Sequence, residues 1–466
     1  MLRITVTAAF LAALTLPAFG QDPELLVLTE TETGDLNTQG GRLMGISGNG
    51  RFAVFRSLSP LVAADSTGNQ VYVRDLETGD LELVSATPAG SASSEAQPDP
   101  DPDVSNRRVI SDDGRFVAFR SSSADIVPGV DPGSLNWLFV RDRQTQTTTL
   151  VSVDNNDVPA NQSVTERYTL DPSGVAVAFM SFATNLDPLA PSGGIFLHRL
   201  DAPVGSSART RAACRDRDGV PRTDSACGGF TISCGGAIMA FRGGSFHPWV
   251  EGEDLAFGET YTDYFIGNTI AGNWVRVGAE AGLPPDDGIL GNNAGGAPSI
   301  DCSGTRIAFW TRNELQPGDT DDADLYVFDL IARRITLIED PTGASLEPPG
   351  FAFGQALNEV SLSSNGNLIA FSTQRALVPN DSNGLSDVYT VELERDPIAP
   401  FDLQWISHAL DVAGDSHSYQ PFASNTGQVA FRSPSDNPPW PVPNLGEGHL
   451  FARGVALEGV FYDGFE

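Results

Sequence analysis

The feature that most constrains this chain is an eleven-residue stretch, SDDGRFVAFRS at 111–121, that recurs in recognisable form seven times. The other copies are SGNGRFAVFRS (47–57), DPSGVAVAFMS (171–181), SCGGAIMAFRG (233–243), DCSGTRIAFWT (301–311), SSNGNLIAFST (363–373) and the shortened ASNTGQVAFRS (423–433). Their aromatic residues, Phe55, Phe119, Phe179, Phe241, Phe309, Phe371 and Phe431, follow one another at intervals of 60 to 68 residues. A period this regular demands stacked supersecondary units, none of which buries its apolar face alone.

Each unit reads as strands. A Gly in a short polar run supplies a tight turn, and the residues after it are β-branched, small or aromatic. A second alternating segment follows: VYVRD (71–75), LFVRD (138–142), IFLHR (195–199), YFIGN (264–268), LYVFD (325–329), VYTVE (388–392) and LFARG (450–454). In the clearest copies a turn such as ETGD (77–80) leads to a short strand, LELVS (81–85). With the residues preceding each Gly turn, every unit offers four short antiparallel strands, which is one propeller blade. The expected fold is all-β, a seven-bladed β-propeller with four-stranded antiparallel blades. Residues 24–34, ELLVLTETETG, match the last strand of a unit, whereas the C-terminal unit lacks one. The N-terminal strand is therefore expected to close the last blade, since an unclosed ring would leave a bare edge.

The first twenty residues, MLRITVTAAFLAALTLPAFG, combine an early Arg, an apolar run and small residues at Ala18 and Gly20, the pattern of a signal peptide cleaved before Gln21. The expected organisation is thus 1–20 signal peptide and 21–466 a single propeller domain, with a long insert in the fourth blade at about 242–263. No later stretch has the length and apolarity of a transmembrane segment. The expected location is periplasmic or secreted.

All 28 basic residues are Arg, against 60 acidic ones, for a net charge of −32. Such an acidic protein has no basic surface for nucleic acid or anionic membrane, and without Lys it has no Schiff-base chemistry. Four Cys in an exported chain allow two disulfides in three pairings. Cys214 and Cys227 bracket one short loop, and Cys234 and Cys302 hold the same position in adjacent units, which favours pairing Cys214 with Cys227 and Cys234 with Cys302.

The repeated Ser or Asp before an x-x-G turn, then VAF or IAF, then a loop such as LVPNDSNGLSD (377–387) and a strand such as VYVRDLETG (71–79), resembles the WD40-like (PD40) repeats of TolB-type propellers over nearly the whole chain after residue 20. That resemblance implies a propeller and says little about function, because members include periplasmic interaction proteins and propeller domains attached to peptidases. TolB-type propellers often have six blades, whereas seven units are countable here.

Several residue sets carry candidate chemistry. The turn residues Ser111, Asp113 and Gly114 and their counterparts read as local backbone caps, as do the strand-end carboxylates Asp75, Asp142 and Asp329. Asp381, Asn383 and Asp387, and separately Asp319, Asp321 and Asp324, offer hard oxygen ligands at spacings that suit a structural Ca²⁺, although no cofactor is required. Residues on or beside the innermost strands, among them Arg108, Glu166, Arg167, Glu359 and His417, are placed at the central channel. The fourth unit's insert groups Arg242, His247, Trp249, Glu251, Glu253 and Asp254. An aromatic platform with Arg242, Trp249, Glu359 and His417 suits ligand binding, while His247 with Glu251, Glu253 and Asp254 is the weak catalytic candidate. No nucleophile elbow, zinc helix motif or phosphate-binding Gly loop occurs. The functional expectation is a binding or scaffold propeller that engages a protein or glycan through its loop face or central mouth. The alternative is a carbohydrate-active hydrolase or lyase with a carboxylate/His site at the central funnel.

Overall fold

The computed structural model describes residues 25–36, 41–65, 69–94, 108–216, 218–222, 227–244, 262–277, 296–311, 315, 324–339, 346, 359–393, 403–437, 440 and 448–455. The expected signal segment, most of the fourth-blade insert, and Asp319 and Asp321 lie outside them.

Among the described residues, seven antiparallel blade sheets follow one another along the chain, with a small two-stranded hairpin, His408–Ala409 with Val412–Ala413, between the last two. From axis to rim, the first blade is Gly41–Ile46, Phe52–Ser57, Gln70–Asp75 and Leu81–Leu83. The third (Val164–Leu170 to Thr210–Ala212), fourth (Cys227–Ile232 to Trp274–Arg276), fifth (Ser299–Ile300 to Arg334–Ile338) and sixth (Val360–Leu362 to Leu403–Trp405) repeat the order. In the second blade the described part of the innermost segment pairs through one bridge, Ile110 to Val117, inside the three strands Phe116–Ser121, Trp137–Asp142 and Thr147–Leu150. The Arg108 carbonyl there accepts from Leu170 N of the third blade at 2.7 Å, so this segment is drawn toward its neighbour. The seventh blade takes Tyr419–Ala423, Gln428–Ser433 and His449–Gly454 from one end of the chain and Leu26–Val27 from the other, with Leu26 opposite Ala452 and Val27 opposite Phe451. The ring closes as the repeat pattern requires.

The repeated Phe is the centre of each blade. In register it faces an aromatic on the third strand, and all seven pairs meet: Phe55 with Tyr72 (6.0 Å between ring centres), Phe119 with Phe139 (5.9 Å), Phe179 with Phe196 (5.9 Å), Phe241 with Phe265 (5.5 Å), Phe309 with Tyr326 (6.1 Å), Phe371 with Tyr389 (6.1 Å) and Phe431 with Phe451 (5.6 Å). Cross-strand aromatic pairs of this kind fix register as well as burying area.

The Gly turns are built as capped hairpins. Ser111 Oγ accepts from Phe116 N (2.9 Å), Asp113 Oδ1 accepts from Arg115 N (2.9 Å), and Gly114 takes φ +76°, a region an L side chain rarely enters. Turns of neighbouring blades then bond to one another around the ring: Asn425 N to Gly48 O (2.7 Å), Asn49 N to Asp112 O (2.8 Å), Asp112 N to Pro172 O (2.7 Å), Cys234 N to Cys302 O (2.9 Å) and Cys302 N to Ser364 O (2.7 Å). Pro172 has no N–H to pass on, and at that junction Gly235 N donates instead to Asp171 Oδ2 (2.7 Å). Asn365 N completes the circle on Asn425 Oδ1 (2.8 Å). Ser364 of the sixth blade also donates its hydroxyl to the Asp112 carboxylate of the second. A Cβ on Gly48 would lie 2.3 Å from Asp112 Cγ, so these turns meet at van der Waals contact and protein fills the axis at the hairpin end.

Both disulfides are present with the preferred pairing. Cys214–Cys227 joins the third blade to the fourth (Cα–Cα 6.6 Å), and Cys234–Cys302 joins the turns of the fourth and fifth (4.7 Å). Among the described residues no helix is long and apolar enough to cross a membrane.

Candidate functional site

Antiparallel connectivity puts the capped turns and the outer-strand turns on one face. The loops between second and third strands, and the links between blades, lie on the other. The axis is filled at the first face, which leaves the loop face as the candidate binding face.

On that face the seam between the sixth and seventh blades concentrates the described candidates. Asp387 begins the third strand of the sixth blade and is 0% exposed. Its Oδ1 accepts from Ser407 Oγ (2.5 Å) and Trp405 Nε1 (3.3 Å), and its Oδ2 accepts from Asn383 Nδ2 (3.0 Å). Asn383 Nδ2 donates also to Gly414 O (2.9 Å), tying the loop to the next link. Asp381 accepts the hydroxyl of Tyr389, whose oxygen takes Leu377 N–H at 3.3 Å. Burial pushes the Asp381 carboxyl up and raises Asp387 to about 6, with the neighbouring Asp381 charge adding to it. Asp387 is thus bonded to Asn383, Ser407 and Trp405, while the buried Asp381 Oδ1 has no hydrogen-bond partner among the described residues. Among the described residues no group of three or more His, Cys, Asp or Glu side chains is placed to hold a metal. Asp324, at the matching position of the fifth blade, is likewise buried.

The Asp381–Tyr389 contact escaped the reading of the sequence, although its signal was present twice. Leu61-Val62-x-x-Asp65 before Tyr72 repeats Leu377-Val378-x-x-Asp381 before Tyr389, and Tyr72 donates to Asp65 with Leu61 N on its oxygen (3.3 Å) in the same way.

His417 and Glu359 sit at this seam too. His417 Nδ1 accepts from Ser386 N (2.9 Å), which leaves the proton of the neutral ring on Nε2. Three residues on, Gln420 N donates to the buried Glu359 carboxylate. The segment 417–420 is thus pinned at both ends to the sixth blade, and Ser418 N adds a bond to Ser386 O (2.6 Å). Arg242 is elsewhere, on the second strand of the fourth blade between Gly228 and Tyr264. His247, Trp249, Glu251, Glu253 and Asp254 lie outside the described residues.

At the channel, Arg108 reaches across to Leu362 O of the sixth blade (3.4 Å). Burial lowers the affinity of its guanidinium for the proton, while Asp112, Asp171 and Asp301 oppose that change. Glu166 pairs with Arg120 at 3.0 Å. These charges offset one another as a plug would. The strand-end carboxylates are scaffold: Asp142 accepts from Gln144 N (3.0 Å) and binds Arg115 through two nitrogens (2.9 and 2.7 Å). Arg115 holds Asp142 down to about 2, with the turn N–H groups helping. Arg51 with Asp75, and Arg306 with Asp329, repeat the pair.

The buried Asp387 makes a pH prediction. Its folded-state value of about 6 lies above the unfolded carboxyl of about 3.9, so the folded form holds the proton more tightly. Its favourable contribution is complete below about pH 4 and is lost as pH rises through about 6, a change of about 3 kcal/mol. Asp387→Asn should flatten the fall in urea midpoint between those pH values. An unchanged slope in the variant would assign the ionisation elsewhere.

No family model matches this sequence, and no curated protein does. Solved structures match by shape. TolB from Acinetobacter baumannii is 11% identical, with 80% of this chain covering 64% of that one, less than two thirds of its length, at a TM-score of 0.36. An oligogalacturonate lyase solved in complex with manganese is 11% identical over 94% of this chain and 96% of that one (TM-score 0.48). The β-propeller domain of the trilobed protease from Pyrococcus furiosus is 10% identical over 92% and 99% (TM-score 0.48). The chain is a seven-bladed β-propeller similar to TolB-like and WD40-like propellers.

Proposed function

We propose that this chain is an exported binding or scaffold propeller, periplasmic or secreted, that engages a protein or glycan through its loop-side mouth. One observation carries the reading. The hairpin end of the axis is filled by the bonded circle of turns and the Ser364–Asp112 contact, while the loop face gathers Glu359, His417 and the 381–387 loop at one seam. The two disulfides support export, because such bonds persist in oxidising compartments. Ligand contacts are assigned to Glu359 and His417 at the seam and to Arg242 and Trp249 at the fourth blade.

The alternative, a carbohydrate-active hydrolase or lyase, is supported by an imidazole, His417, and a carboxylate, Glu359, that meet one four-residue segment on the loop face. In that reading His247, Glu251, Glu253 and Asp254 supply the acid and base. Incubation with neutral and acidic polysaccharides, with new reducing ends and amide exchange read on the same samples, separates the two. Binding gives saturable protection of segments 374–387 and 415–420 with no new ends. Steady release of ends, abolished by Glu251→Gln, would replace it with the enzyme. Protection confined to the hairpin face would remove the loop mouth as the site.

A further inference from the structure

At the loop-side rim of the blades, a small hydroxyl at the end of the outermost segment ties back to the start of the third strand. Ser85 Oγ accepts Val71 N–H (3.0 Å) and donates to Gln70 Oε1 (2.5 Å). Ser407 Oγ accepts Val388 N–H (2.7 Å) and donates to Asp387 Oδ1 (2.5 Å), and Ser152 Oγ accepts Leu138 N–H (3.1 Å). In the seventh blade the same place is assembled from opposite ends of the chain. Leu28 N donates to Leu450 O (2.8 Å), as Val84 N does to Val71 O, so Thr29 occupies the Ser85 position and His449 the Gln70 position. Both are buried, at 0% and 2% exposed, yet among the described residues Thr29 Oγ1 and both imidazole nitrogens of His449 have no hydrogen-bond partner.

We propose that His449 makes closure of the ring acid-labile: a neutral imidazole is tolerated in the closing blade, and a protonated one is accommodated only when the Leu26–Thr29 segment detaches. The two sides of the His449 strand differ in strength. Toward the axis it pairs along six residues with Gln428–Ser433, whereas toward the rim it pairs through Leu26 and Val27 and the Leu28 N–H to Leu450 O bond. The charged groups that the packed elements bring to this end are Arg432 on the adjacent strand, Arg42 on the innermost strand of the first blade, Glu30 beyond Thr29 and Asp436 beyond Ser433. Burial is what pushes the imidazole below its usual range. A histidine depressed in the folded state contributes stability that is fully present above the unfolded value near 6.5, begins to fall away below it and is lost as pH falls through the lower folded value. His198 is depressed further, to about 3, again by burial, but it is bonded to Thr210 Oγ1 (2.8 Å) in the third blade, so the test has to be local.

Amide exchange of Leu28 is compared with that of Val84, its counterpart in the first blade, at about pH 7.5 and about pH 5.5. The Leu28 amide should lose about tenfold in protection relative to Val84 on acidification, the limit for one group one unit below its unfolded value. In His449→Gln, which places the first blade's residue type at this position, the ratio should not change with pH. Parallel loss at both amides in the native chain would overturn the proposal, as would an undiminished acid response in His449→Gln. Should that variant fail to fold, the native comparison decides alone.

Discussion

Replacing Phe179 by Ala should lower stability by about 3–5 kcal/mol, the range for deleting a buried aromatic ring, while Phe182→Ala three residues later should change it by less than about 0.5 kcal/mol. Phe179 is 0% exposed and its ring lies tilted against Phe196 at 5.9 Å; Phe182 is 53% exposed. The first substitution removes the transfer energy of the ring and leaves a cavity between strands whose backbones are held by six paired residues, Ala176 to Ser181 against Gly194 to Arg199. Collapse into that space would break register, so the cavity persists. About 0.5–1.5 kcal/mol of aromatic pairing is lost with it. Urea midpoints of the two variants should therefore separate widely. Equal midpoints would mean that the repeated Phe does not hold the blade together, and the reason for its spacing would have to be sought elsewhere.

That spacing made the fold readable. A Phe that must face an aromatic partner, a Gly that must take positive φ and a Ser or Asp that must cap the turn are each local demands, and seven copies show them against a varying background. Closure by Leu26–Val27 was legible for the same reason, since a missing strand at one end and a surplus one at the other are visible in sequence. The pairing of Arg115 with Asp142 was not read, although the Gly-Arg of the turn and the Asp of the third strand recur together in the first two units. It requires knowing that the two hairpin ends share a face. The site was less legible still. Asp381, Asn383 and Asp387 read as an oxygen-rich loop in one dimension; in three, Tyr389 donates to Asp381, and Ser407 and Trp405 donate to Asp387, contacts that loop spacing does not reveal. Sequence spacing orders ligands along a loop but cannot say which neighbouring strands already use them.

Removing the Cys234–Cys302 disulfide should be the costlier of the two disulfide losses. It closes a span of 68 residues, against 13 for Cys214–Cys227. Loop-closure entropy makes the longer tie worth about 4 kcal/mol and the shorter about 3 kcal/mol. The geometry adds to that ordering. Cys234 and Cys302 lie within the circle of bonded turns, beside the junction where Pro172 interrupts the backbone relay, so the covalent link stands next to the relay's weakest step. A Cys234→Ser, Cys302→Ser variant keeps small polar side chains at both turns and leaves the Cys234 N to Cys302 O bond free to form. Its urea midpoint should fall further than that of Cys214→Ser, Cys227→Ser. Reductant should bring the native chain below either variant, because it opens both bonds at once. If the two variants instead fall equally, loop-closure entropy does not set the worth of these ties, and the position of Cys234–Cys302 in the circle of turns adds nothing.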